Sequence, residues 1–319
     1  MIVNNKKRSK VKLYIFVALM LSVSLLHFAI FYVYVNFDAV RLTFFRFDEI
    51  DNVYVFNGFK NYADVIRHTF IEGKTSDLNT FWNTFRAIVI NLIILPISIV
   101  TAYAFYKKVY GEKAFRVIFY LPSIISIVVQ CSAFLAMFET YPYAGEEFYG
   151  PYNQFFRLFG YAPKWLSTGS EGNTMWPLIY AFAIIAGLGT NVILMSSAML
   201  RIPSSITEAA ELDGCGFYKE LFTITLPLIM PTITTWVTMI IVSVFGFFMQ
   251  PMLLTNGKPG TDNKFYTIPW AIFDQVQNGA ANSTIPTAAT MGILLSLIIM
   301  PLVTLMRYVF KKLTPEVSF

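Results

Sequence analysis

Residues 175–200 read MWPLIYAFAIIAGLGTNVILMSSAML, an apolar run without Asp, Glu, Lys or Arg that ends abruptly at Arg201. An α-helix rises about 1.5 Å per residue, so this run is long enough to cross a hydrocarbon core about 30 Å thick. Five further runs of the same kind lie outward from it, at 13–35, 87–106, 117–138, 228–254 and 286–306. Composition agrees: 56% of the residues are hydrophobic and 13% charged, where soluble domains carry about 25% charged residues. Lipid is therefore the solvent for most of this chain. The expected fold class is an all-α membrane protein with six transmembrane helices.

The first run is too long for the apolar core of a signal peptide, and it continues into Asn36-Phe37-Asp38 without a small-residue cleavage site. It reads as a retained helix. Basic residues stay on the cytoplasmic side of spans. Lys6, Lys7, Arg8, Lys10 and Lys12 precede the first run, Lys107, Lys108, Lys113 and Arg116 lie between the second and third, and Arg307, Lys311 and Lys312 follow the last. Both termini of this multi-pass membrane protein are thus expected in the cytoplasm. The net charge of +5 becomes a topology signal and excludes a nucleic-acid partner. Cys131 and Cys215 fall in different compartments, which argues against a disulfide.

Four segments follow: a cytoplasmic N-terminus at 1–12, a first helix with an extracytoplasmic stretch at 13–80, a five-helix core at 81–310 that includes a loop at 201–227, and a cytoplasmic tail at 311–319. Aromatic residues crowd the outer segments 36–79 and 139–173, including Tyr141, Tyr143, Phe148, Tyr149 and Trp165. They suit either lipid headgroups or a docked partner, on short interfacial helices and turns. Pro96, Pro122, Pro227, Pro231, Pro251 and Pro301 fall in the helical runs and are expected to act as tolerated kinks.

The loop opens Arg201-Ile202-Pro203-Ser204-Ser205-Ile206-Thr207-Glu208-Ala209-Ala210-Glu211-Leu212-Asp213-Gly214. Pro203 stops the preceding helix, Ser205 and Glu208 have capping-box spacing, and Gly214 supplies the left-handed residue that ends many helices. A second apolar-patterned stretch, 217–226, leads to Pro227 and back into the membrane. This is a helix-turn-helix on the cytoplasmic face. Small Ala209 and Ala210 would let another protein approach the backbone, while Glu208 and Asp213 offer carboxylates to a basic surface. Arg201 and Lys219 stand against Glu208, Glu211, Asp213 and Glu220. Net acidity inside the cell points to an intermolecular role, with a solvated amphipathic helix as the alternative.

Glu208-Ala209-Ala210, Asp213-Gly214, Phe222, Ile224, Leu226-Pro227 and Pro231 together resemble the EAA loop of permeases in binding-protein-dependent ABC importers. Gly189-Thr190-Asn191, the run from Leu253 to Pro259, Asn61-Tyr62, Phe81-Trp82-Asn83-Thr84, and Phe115-Arg116 with Tyr120-Leu121-Pro122 are similar to the sugar-importer branch. That branch includes maltose, lactose and glycerol-phosphate permeases. The resemblance implies a type I importer permease fold whose loop is a coupling helix seated in a cytoplasmic ATPase. Glu208, Ala209, Ala210, Asp213, Gly214, Phe222 and Pro227 would form that dock. It further implies a homologous second permease subunit, two ATPase subunits that carry ATP and Mg, and an extracytoplasmic solute-binding protein. Cys215 departs from the commoner alanine, a change between small residues.

Uncharged polar residues in spans either glue helices together or line a path. Gln130, Asn191, Ser243 and Gln250 are the path candidates, with Phe247 to stack on a sugar ring and Gly189 in the Gly189-Thr190-Asn191 stretch, while Asn91 is expected to pack. Ser243, Phe247 and Gln250 are spaced to share a helix face, with Gly246 leaving room for a ligand. In maltose permease the sugar contacts come from the helices flanking the coupling loop, but the asparagine cluster found there on the fifth helix does not recur here. The expected cargo is a sugar or oligosaccharide; glycerol phosphate or an amino acid is the alternative within the class. A scaffold or intramembrane enzyme is the rival outside it. No metal-ligand set, nucleophile triad or phosphate-binding Gly-Lys-Ser/Thr loop is present, so the chain is expected to bind no cofactor, to carry no catalytic residue, and to leave ATP hydrolysis to partners.

Overall fold

The computed structural model describes residues 2–71, 75–138, 140–143, 146–160, 175–277 and 281–313. Trp165 and the end of the tail at 314–319 lie outside them. In chain order the elements are α1 (Ile2–His27), α2 (Val35–Leu42), β1 (Phe45–Asp48), β2 (Val53–Phe56), α3 (Lys60–Ile66), α4 (Thr75–Tyr106), α5 (Glu112–Ile124) and α6 (Ile127–Phe138). They continue with β3 (Thr140–Tyr143), β4 (Glu146–Tyr149), α7 (Pro151–Leu158), α8 (Met175–Met199), α9 (Ser204–Leu212), α10 (Phe217–Glu220) and α11 (Leu226–Leu228). Last come α12 (Met230–Val242), α13 (Met249–Leu254), α14 (Ile268–Gln277) and α15 (Ala281–Leu313). The chain divides into two units, 1–67 with 274–294, and 68–273 with 295–319.

Four helices, Lys12–Leu42, Ser76–Tyr106, Met175–Met199 and Ser283–Lys312, are each long and apolar enough to cross a membrane. Two bent pairs, each counted as one span, bring the number among the described residues to six. Glu112–Ile124 with Ile127–Phe138 turns through 109°, and Phe217–Leu228 with Met230–Gly246 through 75°. Both bends lie where the sequence places kinks, at Pro122 within the run 117–138 and at Pro227 and Pro231 around the start of the run 228–254. The first bends because Pro122 lacks an N–H and Ile125 is extended (φ −83°, ψ 139°). Gln130 repairs the break: its Nε2 donates to the carbonyls of Pro122 at 2.6 Å and Ile125 at 2.7 Å. Pro96, by contrast, sits within α4 and leaves its 32 residues in one helix, about 48 Å long.

In the first unit every residue from 12 to 37 is exposed, as suits a helix whose solvent is lipid. Beyond it the expectation of interfacial helices and turns meets a difference. The antiparallel pair β1–β2 runs in register from Phe45 opposite Phe56 to Asp48 opposite Val53. Alternating aromatic and β-branched residues favour strands, and Asn52 at φ +54° turns the chain. Asn61 Nδ2 donates to the carbonyls of Thr43 and Phe45, both at 2.8 Å, and Tyr62 hydrogen-bonds Thr43 at 2.8 Å. These contacts brace the hairpin base.

The second unit is built on α4 and α8, whose facing side chains form a core with Ile94, Tyr103, Val192 and Met195. Close packing needs a glycine: a Cβ on Gly189 would lie 2.2 Å from the carbonyl oxygen of Phe119 in α5. A second hairpin, β3–β4, pairs Thr140 opposite Tyr149 through Tyr143 opposite Glu146. Gly150 then turns the chain into α7; its Cβ would meet the carbonyl oxygens of Ala136 at 2.5 Å and Met137 at 2.6 Å. Among the described residues the fold is helical, with two small hairpins that composition did not announce.

Candidate functional site: a docking helix and the polar residues of the spans

The loop folds as a short helix between two stops. Pro203 (φ −58°, ψ 135°) precedes α9, and Gly214 at φ +69° follows it. The N–H of Gly214 reaches the carbonyl of Glu211 at 3.1 Å and that of Cys215 reaches Ala210 at 2.9 Å, so the last turn's carbonyls are satisfied by a left-handed cap. The helix start differs from expectation: Ser205 and Glu208 form no capping box, because α9 begins at Ser204 with Pro203 as its cap, two residues earlier than a Ser205 cap requires, and with no side-chain cap bond.

Glu208, Ala209, Asp213 and Gly214 are exposed on α9 and its end, and Phe222 is 60% exposed beyond them. Pro227 is half-buried. Ala210 differs from its neighbour. It is buried, so its small side chain seats α9 on its own chain, whereas Ala209 presents the thin outer face.

Two of the loop's four carboxylates are used within the chain. Lys107, just past the end of α4, places its Nζ 2.8 Å from Glu220 Oε1 and 3.1 Å from Glu211 Oε1. Glu220 is 2% exposed, and a buried carboxylate without a partner is strongly destabilising. Burial by itself lowers the pKa of Lys107, but the hydrogen bonds and charges of Glu220 and Glu211 outweigh it and hold the ammonium above the ordinary lysine value. The ring of Phe217 packs 4.6 Å from that of buried Tyr103 on α4. The loop's acidity therefore has an intramolecular half, Glu211 and Glu220, and an outward half, Glu208 and Asp213.

Sequence reasoning counted Lys107 only as a topology marker. The available signal was Glu220, a charge on the inner face of the apolar stretch 217–226. A carboxylate in that position needs a cation from elsewhere in the chain.

The polar residues of the spans are mostly partnered. Asn91 Nδ2 donates to Ala87 O at 2.9 Å and to Ser243 Oγ at 3.1 Å, and Ser243 donates to Ile240 O at 2.7 Å. Asn191 donates to Gly187 O at 2.8 Å and accepts from Trp236 Nε1, tying α8 to α12. Gln130 serves the break between α5 and α6, and Gly189 the crossing of α8 with α5.

Ser243, Phe247 and Gln250 do not share one α-helical face. A 3-10 turn at Ser243–Gly246 and non-helical Phe247 (φ −84°, ψ 72°) and Phe248 (φ −137°, ψ −32°) interrupt the helix between them. Thr267 Oγ1 donates to the freed carbonyl of Phe247 at 3.0 Å. Phe247 is buried, and Gln250 carries a buried Oε1 without a hydrogen-bond partner.

At the end of α4 remote from Lys107, Asn83 Nδ2 donates to the carbonyls of Asn263 (3.2 Å), Lys264 (2.8 Å) and Tyr266 (3.1 Å). Trp176 Nε1 adds a bond to Lys264 O at 2.9 Å, and the Arg86 guanidinium lies 4.3 Å over the Trp176 ring. The stretches 81–84 and 253–259, read separately in the sequence, thus flank one clamp.

The crossings thus carry a short helix stopped at both ends, α9, and a crossing broken at Phe247. Residues 94–318 match the family described as binding-protein-dependent transport system inner membrane component, and the chain belongs to that family. It is 30% identical over 203 residues to a probable ABC transporter permease protein, MG188, of Mycoplasma genitalium, covering 62% of this chain and 57% of that protein. It is 24% identical over 279 residues to the arabinooligosaccharides transport system permease protein AraP of Bacillus subtilis, covering 86% and 82%. The maltose/maltodextrin transport system permease protein MalF of Escherichia coli is 25% identical over 206 residues, 64% of this chain but 38% of MalF. A crystal structure of a bacterial ABC transporter involved in the import of the acidic polysaccharide alginate superposes with a TM-score of 0.77 at 21% identity, covering 97% of this chain and all of that one. The chain is a member of the inner-membrane component family with several helices long and apolar enough to cross a membrane.

Proposed function

We propose that this chain is one of two related permease subunits of an ATP-driven importer, and that it translocates a sugar or oligosaccharide delivered by an extracytoplasmic solute-binding protein. Two cytoplasmic ATPase subunits hold ATP and Mg and supply the stroke. The observation that carries the reading is α9: a short helix stopped at both ends, with its thin Ala209 face and the Glu208 and Asp213 carboxylates turned outward. Such a surface offers carboxylates to a basic cleft and lets that cleft approach the backbone. The cargo class draws support from the relatives named for maltose/maltodextrin and arabinooligosaccharides, and from the structural relative that was crystallised with an alginate pentasaccharide-bound periplasmic protein.

In this reading closure of the ATPases moves α9, and the crossings reorient around the break at Phe247. Gln250, with its unpartnered Oε1, is the side chain with hydrogen-bonding capacity to offer a hydroxyl of the cargo. Asn191, Ser243 and Gln130 already have partners, so contact with cargo would require exchanging them. Both termini and α9 are assigned to the cytoplasm on the positive-inside rule.

The test is ATP turnover by the complex co-purified with this chain, with Glu208→Ala and Gly214→Val. Each is expected to lower receptor-stimulated turnover and uptake roughly tenfold, as loss of a central interface residue does. Unchanged turnover and uptake in both variants refutes the docking role. A co-purifying receptor that binds no carbohydrate refutes the sugar assignment alone.

A further inference from the structure

We infer that Lys107 is a positioning residue that fastens the docking loop to α4, and that α4 acts as the rod carrying the stroke from α9 to the broken crossing and the clamp at its far end. The inference rests on the permease reading above and adds to it the route of transmission.

The loop has three routes by which a push on α9 reaches the crossings. One runs forward along the chain through α10 and α11, but it meets the 75° bend before α12, near Ile229 (φ −92°, ψ 3°). A second runs back through Pro203 into α8, across an extended residue with no helical hydrogen bond of its own. Both joints can flex. The third is the ion pair: Lys107 Nζ bridges Glu220, beyond the turn, and Glu211, on α9, at 2.8 and 3.1 Å. One ammonium thus holds both arms of the helix-turn-helix against the end of a single helix.

That helix is continuous over 32 residues, Pro96 included. Along its length it makes further polar grips, two of which bear on the break. Asn91 holds Ser243 at 3.1 Å, at the first residue of the 3-10 turn where the crossing loses its α-helical geometry. Asn83 holds the carbonyls of Asn263, Lys264 and Tyr266, and the following Thr267 caps Phe247. Both side chains therefore act on the same break, one from each side. A displacement entering at Lys107 arrives at the break and at the clamp without passing through a bend.

The charge at Glu220 is costly to bury, and a well-packed apolar pair serves stability as well or better. An ion pair that also grips Glu211 across the turn suits force transfer, because it joins two segments that would otherwise move separately.

The experiment uses the full complex in proteoliposomes, with Cys131→Ala and Cys215→Ala as background and Lys258→Cys as a reporter on the exposed clamp loop. The maleimide modification rate of the reporter is compared between the nucleotide-free complex and the complex trapped with ATP and vanadate. The background chain is expected to show a rate that differs between the two states. Lys107→Met and the neutral pair Lys107→Met/Glu220→Gln are expected to shrink that difference about fivefold or more, a coupling loss of ordinary size. Lys107→Arg, which keeps the charge and reach, is expected to restore it. If Lys107→Met does not accumulate, the neutral pair decides, since it leaves no buried unpaired charge. An undiminished difference in the neutral pair overturns the inference. A background complex that shows no difference and hydrolyses no ATP refutes the permease reading itself, a distinct outcome.

Discussion

Replacing Gly189 by alanine adds one methyl group where α8 crosses α5, and the structure sets the consequence. The new Cβ would lie 2.2 Å from the carbonyl oxygen of Phe119. Carbon–oxygen contacts settle at roughly 3.3 Å, so α5 and α8 must separate by about 1 Å. The obstacle is backbone, fixed in a helix, so no rotamer change relieves it. Overpacking of this kind costs about 1–3 kcal/mol, with the shift propagating to Pro122 and its partner Gln130. Two glycines provide internal controls. A Cβ at Gly187 would meet the Cδ1 end of Ile94 at 3.0 Å, and one at Gly246 meets nothing within 4 Å. Apparent melting midpoints of detergent-solubilised variants are therefore expected in the order Gly246→Ala, Gly187→Ala, Gly189→Ala, with the last lowered by about 5 °C. A Gly189→Ala protein as stable as Gly246→Ala would refute the packing argument. Stability loss with no change in the cargo's KM would place Gly189 in helix packing and outside the cargo path.

Asn83→Ala removes a donor from three carbonyls of the 263–266 segment, Lys264 O keeping the bond from Trp176 Nε1; a cost of about 1–3 kcal/mol is expected from such part-buried acceptors. Faster proteolysis of the 256–263 loop measures it. Gln250→Leu removes a buried, unpartnered oxygen, so thermal stability should hold or rise while the uptake KM for an oligosaccharide increases; unchanged KM rules out cargo contact. Lys107 has a pKa above the ordinary 10.5, so the stability it contributes is complete below that value and is lost as pH climbs through the folded-state pKa. The midpoint of the wild-type chain should fall over this alkaline range more steeply than that of Lys107→Met/Glu220→Gln, and parallel curves would contradict the ion pair's role.

The crossings were legible because apolarity reports the solvent of a segment whatever its backbone does. For the same reason the breaks were not. The run 228–254 is apolar on both sides of Phe247, yet its carbonyl leaves the helical ladder because Thr267, twenty residues on, supplies a donor. The spacing argument for Ser243, Phe247 and Gln250 presumed an unbroken helix and failed there. The hairpins at 45–56 and 140–149 stayed hidden because their alternating aromatic residues also suit a membrane interface. In the loop at 201–227 Pro203 and Gly214 mark the helix ends, while the capping box read from Ser205 and Glu208 is displaced by a two-residue shift of the start.

By itself the sequence determined the solvent of each segment, the order of the crossings and the limits of α9. These depend on local properties: apolar length, a proline without an N–H, and a glycine free to take φ +69°. Only the tertiary structure decided where the polar groups spend their bonds. Lys107 meets Glu220 across 113 positions, and Asn83 meets Lys264 across 181. A charge or amide carries no record of its distant partner; burial compels it to find one, and the packing of α4 against the rest of its unit chooses which.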